Sequence, residues 1–285
     1  MKLGNGKAEI FVPDGRAPAS ALKRITHLGI GAHQDDLEFM AFHGIKECFN
    51  HDRKWFGGIT CTNGSGSARS GRYEHFTDAQ MMAVRREEQN NAARIGQYGI
   101  MIQLGYTSGE AKNPDSQKLK NDLAVILDAA QPEIVYTHNL ADKHETHVGV
   151  AVAAVTAMRE LPAKRRPRQV IGCEVWRALD WLDDDRKVVM DVSGHDHLAA
   201  ALNGVFDSQI GGGKRYDLGT HGRRAANATF FQSHATDRAN QLIFGMDLTP
   251  LVADASLDIA EFVGAQVEAF AKDVRNKLNQ RLGRA

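Results

Sequence analysis

Cysteine is scarce in this chain: Cys48, Cys61 and Cys173 are an odd number set far apart, with no CxxC pair. Neither a disulfide framework nor a thiolate metal site is indicated, and the three read as small buried hydrophobes. Net charge is lacking too. Lys plus Arg and Asp plus Glu each number 35, so no global field draws the chain to nucleic acid, and no nucleic-acid partner is expected. Long apolar runs are missing: nothing approaches the roughly 20 residues of a membrane span, and the N-terminus shows no run of the signal-peptide kind. The expected address is the cytoplasm. What remains is ordinary globular material, 42% hydrophobic and 25% charged over 285 residues, enough for one large domain with a sizeable core.

Residues 1–20 carry scattered Gly and Pro and read as an N-terminal arm or short edge strand. Residues 21–285 read as a single domain. Short apolar runs at 27–32, 56–61, 101–104 and 133–137 are strand candidates. Helical spacing follows them at 39–49, 78–95, 119–130 and 147–160. In the second of these helices Asp78 is expected as the cap, with Met82, Ala83 and Val84 inward. Strand then helix, four times over, predicts an α/β fold of Rossmann-like type: a mostly parallel sheet with helices on both faces. The later part is less regular. Strands are expected at 169–174 and 188–192, a helix at 196–206, a glycine-rich loop at 211–224 and a final helix at about 255–282. On that last helix Ile259, Phe262, Val263, Phe270, Val274 and Leu278 share one side, a core stripe or a subunit contact that would make a homo-oligomer.

Ligands of an open parallel sheet bind at the carboxyl ends of its strands, so any metal site is expected there. The first strand ends in His33-Gln34-Asp35-Asp36. The fourth ends in His138, followed by Asp142-Lys143-His144-Glu145-Thr146-His147. A catalytic zinc takes three His or carboxylate ligands and leaves one position open. His33 and Asp36, three apart on a turn entering a helix, can point the same way, and His147 can supply a third ligand. Asp36 would then bind the metal while Asp35 stays free to take a proton from a water beside it. Asp-Asp after a strand is also a common helix cap, and histidines three apart in a loop are often only solvated. Two such clusters at matching strand ends are hard to explain that way.

Gly31-Ala32-His33-Gln34-Asp35-Asp36-Leu37-Glu38 resembles the Ala-His-Pro-Asp-Asp-x-Glu signature of the LmbE/PIG-L family of zinc-dependent de-N-acetylases. Further passages agree in order: Thr62-Asn63-Gly64 with the family's second glycine turn, and Arg85-x-x-Glu88 with its Arg-x-x-Glu helix. The element at 142–147 resembles its Asp-x-His-x-Asp-His, and Ser208-Gln209 a Ser-Gln near its end. The resemblance implies His33, Asp36 and His147 as ligands of one Zn2+ (or another divalent ion) per chain, and Asp35 as general base. It implies His144 as the group that polarises the oxyanion or protonates the leaving amine, and Arg85 as a residue that binds the substrate or braces the site. The implied activity is hydrolysis of the acetyl group from an N-acetylated amino sugar, a small-molecule substrate. Two positions depart from the pattern. Gln34 replaces a proline, and Thr146 stands where the family has an Asp expected to orient the nearby His. Without that Asp, His144 should have a lower pKa unless Asp142 or Glu145 partners it.

Trp176 and Trp181 are candidates for a sugar-stacking wall. His195 and His197 flank Asp196 at a helix start, which reads as capping. Lys214, Arg215, Arg223 and Arg224 in the glycine-rich segment would let a mobile lid grip a phosphate or carboxylate. An iron oxygenase also uses two His and a carboxylate, but needs no free carboxylate beside them. A non-catalytic sugar or metal binder would not need Asp35 or His144. An amidase or deacetylase of low-molecular-weight thiol synthesis stays open.

Overall fold

Small and apolar residues in unbroken runs make strands that can be buried on both faces. In the computed structural model, which describes residues 2–284, the strands at 27–31 and 56–62 are buried along their whole length. In chain order the elements are β1 (Glu9–Phe11), α1 (Pro18–Lys23), β2 (His27–Gly31), α2 (Asp36–Met40), α3 (Phe42–Cys48) and β3 (Phe56–Thr62). Next come α4 (Asp78–Ile95), β4 (Ile100–Tyr106), α5 (Ser108–Lys112), α6 (Lys118–Ala130), β5 (Ile134–His138) and α7 (Glu145–Glu160). The later part holds β6 (Gln169–Cys173), β7 (Lys187–Asp191), α8 (Asp196–Gly204), α9 (Asp207–Ile210) and α10 (Tyr216–Phe230). The chain closes through β8 (Leu242–Asp247), α11 (Thr249–Ala253) and α12 (Ile259–Arg281).

The eight strands form one sheet, ordered β1-β4-β3-β2-β5-β6-β8-β7. Strands β2 to β6 run parallel, with β1 antiparallel on β4 and β8 antiparallel to both β6 and β7. The chain lays down β2, β3 and β4 in one direction, then returns past β2 to add β5 and β6. Strand order therefore reverses between β2 and β5, and the crevice opens where those two strands end. Apolar layers cover both faces, one under α1, α6 and α7, the other under α2, α3 and α8. Close approach is enforced at Gly44, where a Cβ would stand 2.5 Å from Tyr136 Cε2. Among the described residues no helix is long and apolar enough to cross a membrane.

The α/β architecture is the one expected, with local differences. The helix expected at 39–49 is two short helices that meet at Ala41, whose ψ of 17° leaves helical geometry. Thr77, not Asp78, caps α4, in a reciprocal box with Gln80. The inward face of α4 holds Met81, Arg85, Glu88, Gln89, Ala92 and Ala93, not residues 82–84. That face is polar because it looks onto the crevice, so hydrophobic spacing misplaces it. Strand β8 lies in a stretch where no strand was expected. Residues 216–224 are helix α10, not loop: Tyr216, Thr220, Arg224, Asn227 and Ala228 recur at helical spacing, but glycines and polar residues mask the period.

Candidate metal centre and cavity

The turn after β2 carries the chemistry, and its backbone is unusual. Asp35 sits at the N-cap position of α2 with φ 95° and ψ −30°, a left-handed conformation that costs a non-glycine residue about 1–3 kcal/mol. Its side chain makes no capping hydrogen bond. Instead Asp35 Oδ2 accepts from Arg85 Nη2 at 2.9 Å, and Asp35 N donates to Gln89 Oε1 at 3.2 Å. Gln34 O also accepts from Arg85 Nη2. Gly64, at the end of β3, closes the other side. It has φ 74°, and a Cβ there would lie 2.7 Å from Gln34 Oε1 and 3.0 Å from Arg85 Cβ. Only glycine meets both demands.

The same turn aims His33 and Asp36 at the start of α7. His33 Nδ1 lies 3.2 Å from His147 Nε2 and 3.4 Å from Asp36 Oδ2, and His147 Nε2 lies 3.5 Å from Asp36 Oδ1. Donor atoms around a tetrahedral ion with bonds of about 2.0–2.1 Å stand roughly 3.3 Å apart, and the two nitrogens and the Asp36 carboxylate, which turns a different oxygen to each, already have that spacing. His147 Nδ1 lies 3.3 Å from Asp142 Oδ2. A proton on Nδ1 shared with that carboxylate leaves the Nε2 lone pair facing Asp36 and His33. His138 is the fourth histidine here, with Nε2 3.3 Å from Asp36 Oδ2. That nitrogen accepts the Ala32 N–H at 2.9 Å, so its lone pair is taken and His138 supports the site from below. Burial, then the neighbouring His147, pushes His138 down to about 4, which keeps it neutral.

The adjacent carboxylates are driven apart. Burial pushes Asp35 up to about 6, with Arg85 opposing and Asp36 adding to the rise. Burial also raises Asp36, but His147 and His138 outweigh it and hold that carboxyl well below the usual range. Asp36 is thus the permanent anion of the pair, and Asp35 the one able to gain and lose a proton. Arg85 is 2% exposed and both its Nη atoms are engaged with protein, Nη1 reaching Glu88 Oε2 at 3.3 Å, while Nε has no partner among the described residues. Glu88 in turn accepts from Ser208 N at 2.7 Å and Ser208 Oγ at 2.6 Å. The arrangement is that of a brace rather than a free cation for substrate.

His33, Asp35, Asp36 and Arg85 floor a cavity of about 650 Å³, in the range of small-molecule sites. Its walls include Phe39, His144, Thr146, Trp176, Lys214 and Tyr216.

Residues 28–158, just under half of the chain, match the family described as PIG-L: GlcNAc-PI de-N-acetylase. The chain carries a PIG-L domain. No curated protein matches the chain in sequence. Among solved structures the fold is similar to N,N'-diacetylchitobiose deacetylase from Pyrococcus horikoshii, with TM-score 0.58 and 17% identity over 78% of this chain and 83% of that one. It is similar to GalB, the 4-carboxy-2-hydroxymuconate hydratase from Pseudomonas putida KT2440, with TM-score 0.56 and 16% identity over 78% and 95% of the two chains. It is similar to the A40926 pseudoaglycone deacetylase Dbv21, with TM-score 0.55 and 15% identity over 79% and 97%. Such identities speak for the fold alone, and a fold shared with a hydratase does not choose the reaction.

In the PIG-L domain His144 stands where the departure at Thr146 matters. Neither Asp142 nor Glu145 partners its ring. Asp142 Oδ1 accepts the His144 backbone N–H at 3.1 Å, Glu145 pairs with Lys112 at 3.3 Å, and His144 Nδ1 has no partner among the described residues. Burial first, then His147 and His33, push His144 down to about 4. The two tryptophans considered for a wall stand apart. Trp176 lines the cavity and meets Tyr216 edge-on at 6.0 Å, while Trp181 packs 6.5 Å from Phe270 of α12, away from it. His195 is the N-cap residue of α8, but its side chain makes no capping bond. Arg224, expected on a lid, is buried: its Nη2 donates to Glu38 O at 2.8 Å and Phe39 O at 3.1 Å. Arg223 donates to Val175 O. Tyr216 and Glu174 line the cavity without having been singled out, and Gln209, from the Ser-Gln passage, lines it as well.

Proposed function

We propose that the chain is a metal-dependent de-N-acetylase, with zinc as its ion, that hydrolyses the acetyl group of an N-acetylglucosamine-type sugar or its conjugate. The observation that carries this reading is the meeting of three side chains, His33, Asp36 and His147, whose donor atoms approach pairwise to 3.2–3.5 Å, with Asp35, braced by Arg85, beside them on the cavity floor. His33, Asp36 and His147 would hold the ion. A divalent ion there supplies Lewis acidity to the acetyl carbonyl and acidifies the attacking water. Asp35, held in line by Arg85, takes that water's proton. His144, kept neutral, donates a hydrogen bond to the carbonyl oxygen as it becomes an oxyanion. Asp35, pushed up to about 6, then returns the proton to the departing nitrogen, so water and amide become acetate and free amine. This divides the two roles expected of His144: oxyanion stabilisation stays with it, and the proton moves to Asp35. Trp176 and Tyr216 give the sugar ring an apolar face.

The test is acetate release from N-acetylated amino sugars, free and conjugated (thiol-pathway conjugates included), by metal-stripped chain with and without added zinc. Asp35→Asn should keep the metal and lose about a hundredfold or more in kcat, whereas Asp36→Asn should lose the metal. No acetate from any such substrate with any divalent ion would sink the reading. Identical behaviour of the two variants would sink the division of labour.

A further inference from the structure

The longest helix is also the least docked. Helix α12 runs 23 residues and has no buried residue among those described. Its first turns rest on the core through Ile259, Phe262 and Val263. Beyond them Arg186 Nη1 donates to Gln266 Oε1 at 2.7 Å, and Phe270 edges toward Trp181. The next apolar residues face water: Val267 is 47% exposed, Phe270 39%, Val274 39% and Leu278 56%. At about 100° per residue these four fall in one stripe beside the docked face. A contiguous apolar stripe on an exposed helix marks an interaction surface.

Charge identifies what covers it. From Leu251 to Ala271 the chain carries Asp254, Asp258, Glu261 and Glu268, with no Lys or Arg. From Lys272 to Arg284 it carries Lys272, Arg275, Lys277, Arg281 and Arg284, with a single acid, Asp273, already paired to Lys277 at 2.6 Å. A helix acidic in one half and basic in the other complements itself in one orientation only. A two-fold axis across its middle lays each acidic half on the other copy's basic half, while parallel pairing sets like on like. The helix dipole favours the same charge order, but acts only over the first and last turns and has no bearing on the apolar stripe. An anionic membrane surface would repel the acidic half.

We propose that α12 is a self-association surface, on which two copies of this chain pair antiparallel through Val267, Phe270, Val274 and Leu278. The test is sedimentation equilibrium of the full chain, with vesicle flotation alongside. The parent should be a dimer in the micromolar range. Val274→Glu combined with Leu278→Glu, at positions exposed enough to spare the fold, should weaken dimerisation at least about a hundredfold. A helix made mainly acidic (Lys272→Glu, Arg275→Glu, Arg281→Glu) and one made mainly basic (Glu261→Lys, Glu268→Lys), each keeping the Lys277–Asp273 pair, should be monomeric alone, and should form a heterodimer when mixed in equal amounts. A monomeric parent overturns the proposal, as does a dimer that survives the paired glutamates. Failure of the mixed variants to recover overturns the antiparallel arrangement. Flotation of a monomeric parent with anionic vesicles would make α12 a membrane contact instead.

Discussion

At the residue scale the site depends on one carboxylate that the sequence pairs wrongly. Asp142 was a candidate partner for His144, two residues on. The turn into α7 sends its Oδ2 to His147 Nδ1 instead, and its Oδ1 to a backbone N–H. Loss of such an orienting carboxylate lets a ligating imidazole rotate and change tautomer. Asp142→Asn should therefore weaken metal affinity by roughly 10–100-fold while the three donors remain. Competition with a chromogenic chelator measures it, and unchanged affinity would mean that packing alone orients His147. By contrast, the placement of Asp36, and not Asp35, beside His33 could be read from adjacency. A three-residue turn fixes which of two neighbouring carboxylates faces His33, whatever the rest of the fold does.

At the element scale, α10 covers the cavity as a helix rather than a lid, and this relocates the cations available to substrate. Arg223 and Arg224 are tied to backbone carbonyls. Lys143 Nζ and Lys214 Nζ stand 5.6 and 5.5 Å from the centre of the ring of Trp176, which lines the cavity together with Lys214. Replacing both lysines by Gln should raise KM severalfold for a phosphorylated or acidic N-acetyl sugar and leave a neutral sugar unchanged, since exposed ammonium groups act through screened charge. Added salt should reproduce the effect in the parent enzyme. Equal KM changes on both substrate types would reduce the lysines to supports for the indole. The basic character of this segment was visible in the sequence. Which of its cations were free was not, because burial and backbone partners are set by packing.

At the scale of the whole molecule, stability is linked to pH through His27 at the start of β2. It is buried, with Nδ1 2.9 Å from Thr26 Oγ1, and burial first, then Lys54, pushes it from 6.5 down to about 4. Below pH 6.5 the unfolded chain takes up a proton that the folded chain refuses, so stability is full above that pH and falls as pH drops toward 4. The loss amounts to up to about 3 kcal/mol. His27→Leu should flatten the dependence of Tm on pH between these limits. A variant whose Tm falls with acid as steeply as the parent's would show that other groups carry the effect.

The sequence by itself determined what neighbours along the chain can determine. It placed the parallel strands in their apolar runs, the crevice at the ends of β2 and β5, and the side chains His33, Asp35 and Asp36 on one turn. It placed His147 at the head of a helix. Long-range packing decided the rest. Arg85 reaches Asp35 across 50 positions, and Ser208 holds Glu88 across 120. Strand β8 completes the sheet antiparallel, and α10 closes the cavity. Helices α4 and α10 turn polar residues inward, and a polar face carries no hydrophobic period. Only the tertiary structure, by burying such faces against one another, distinguishes them from solvated surface.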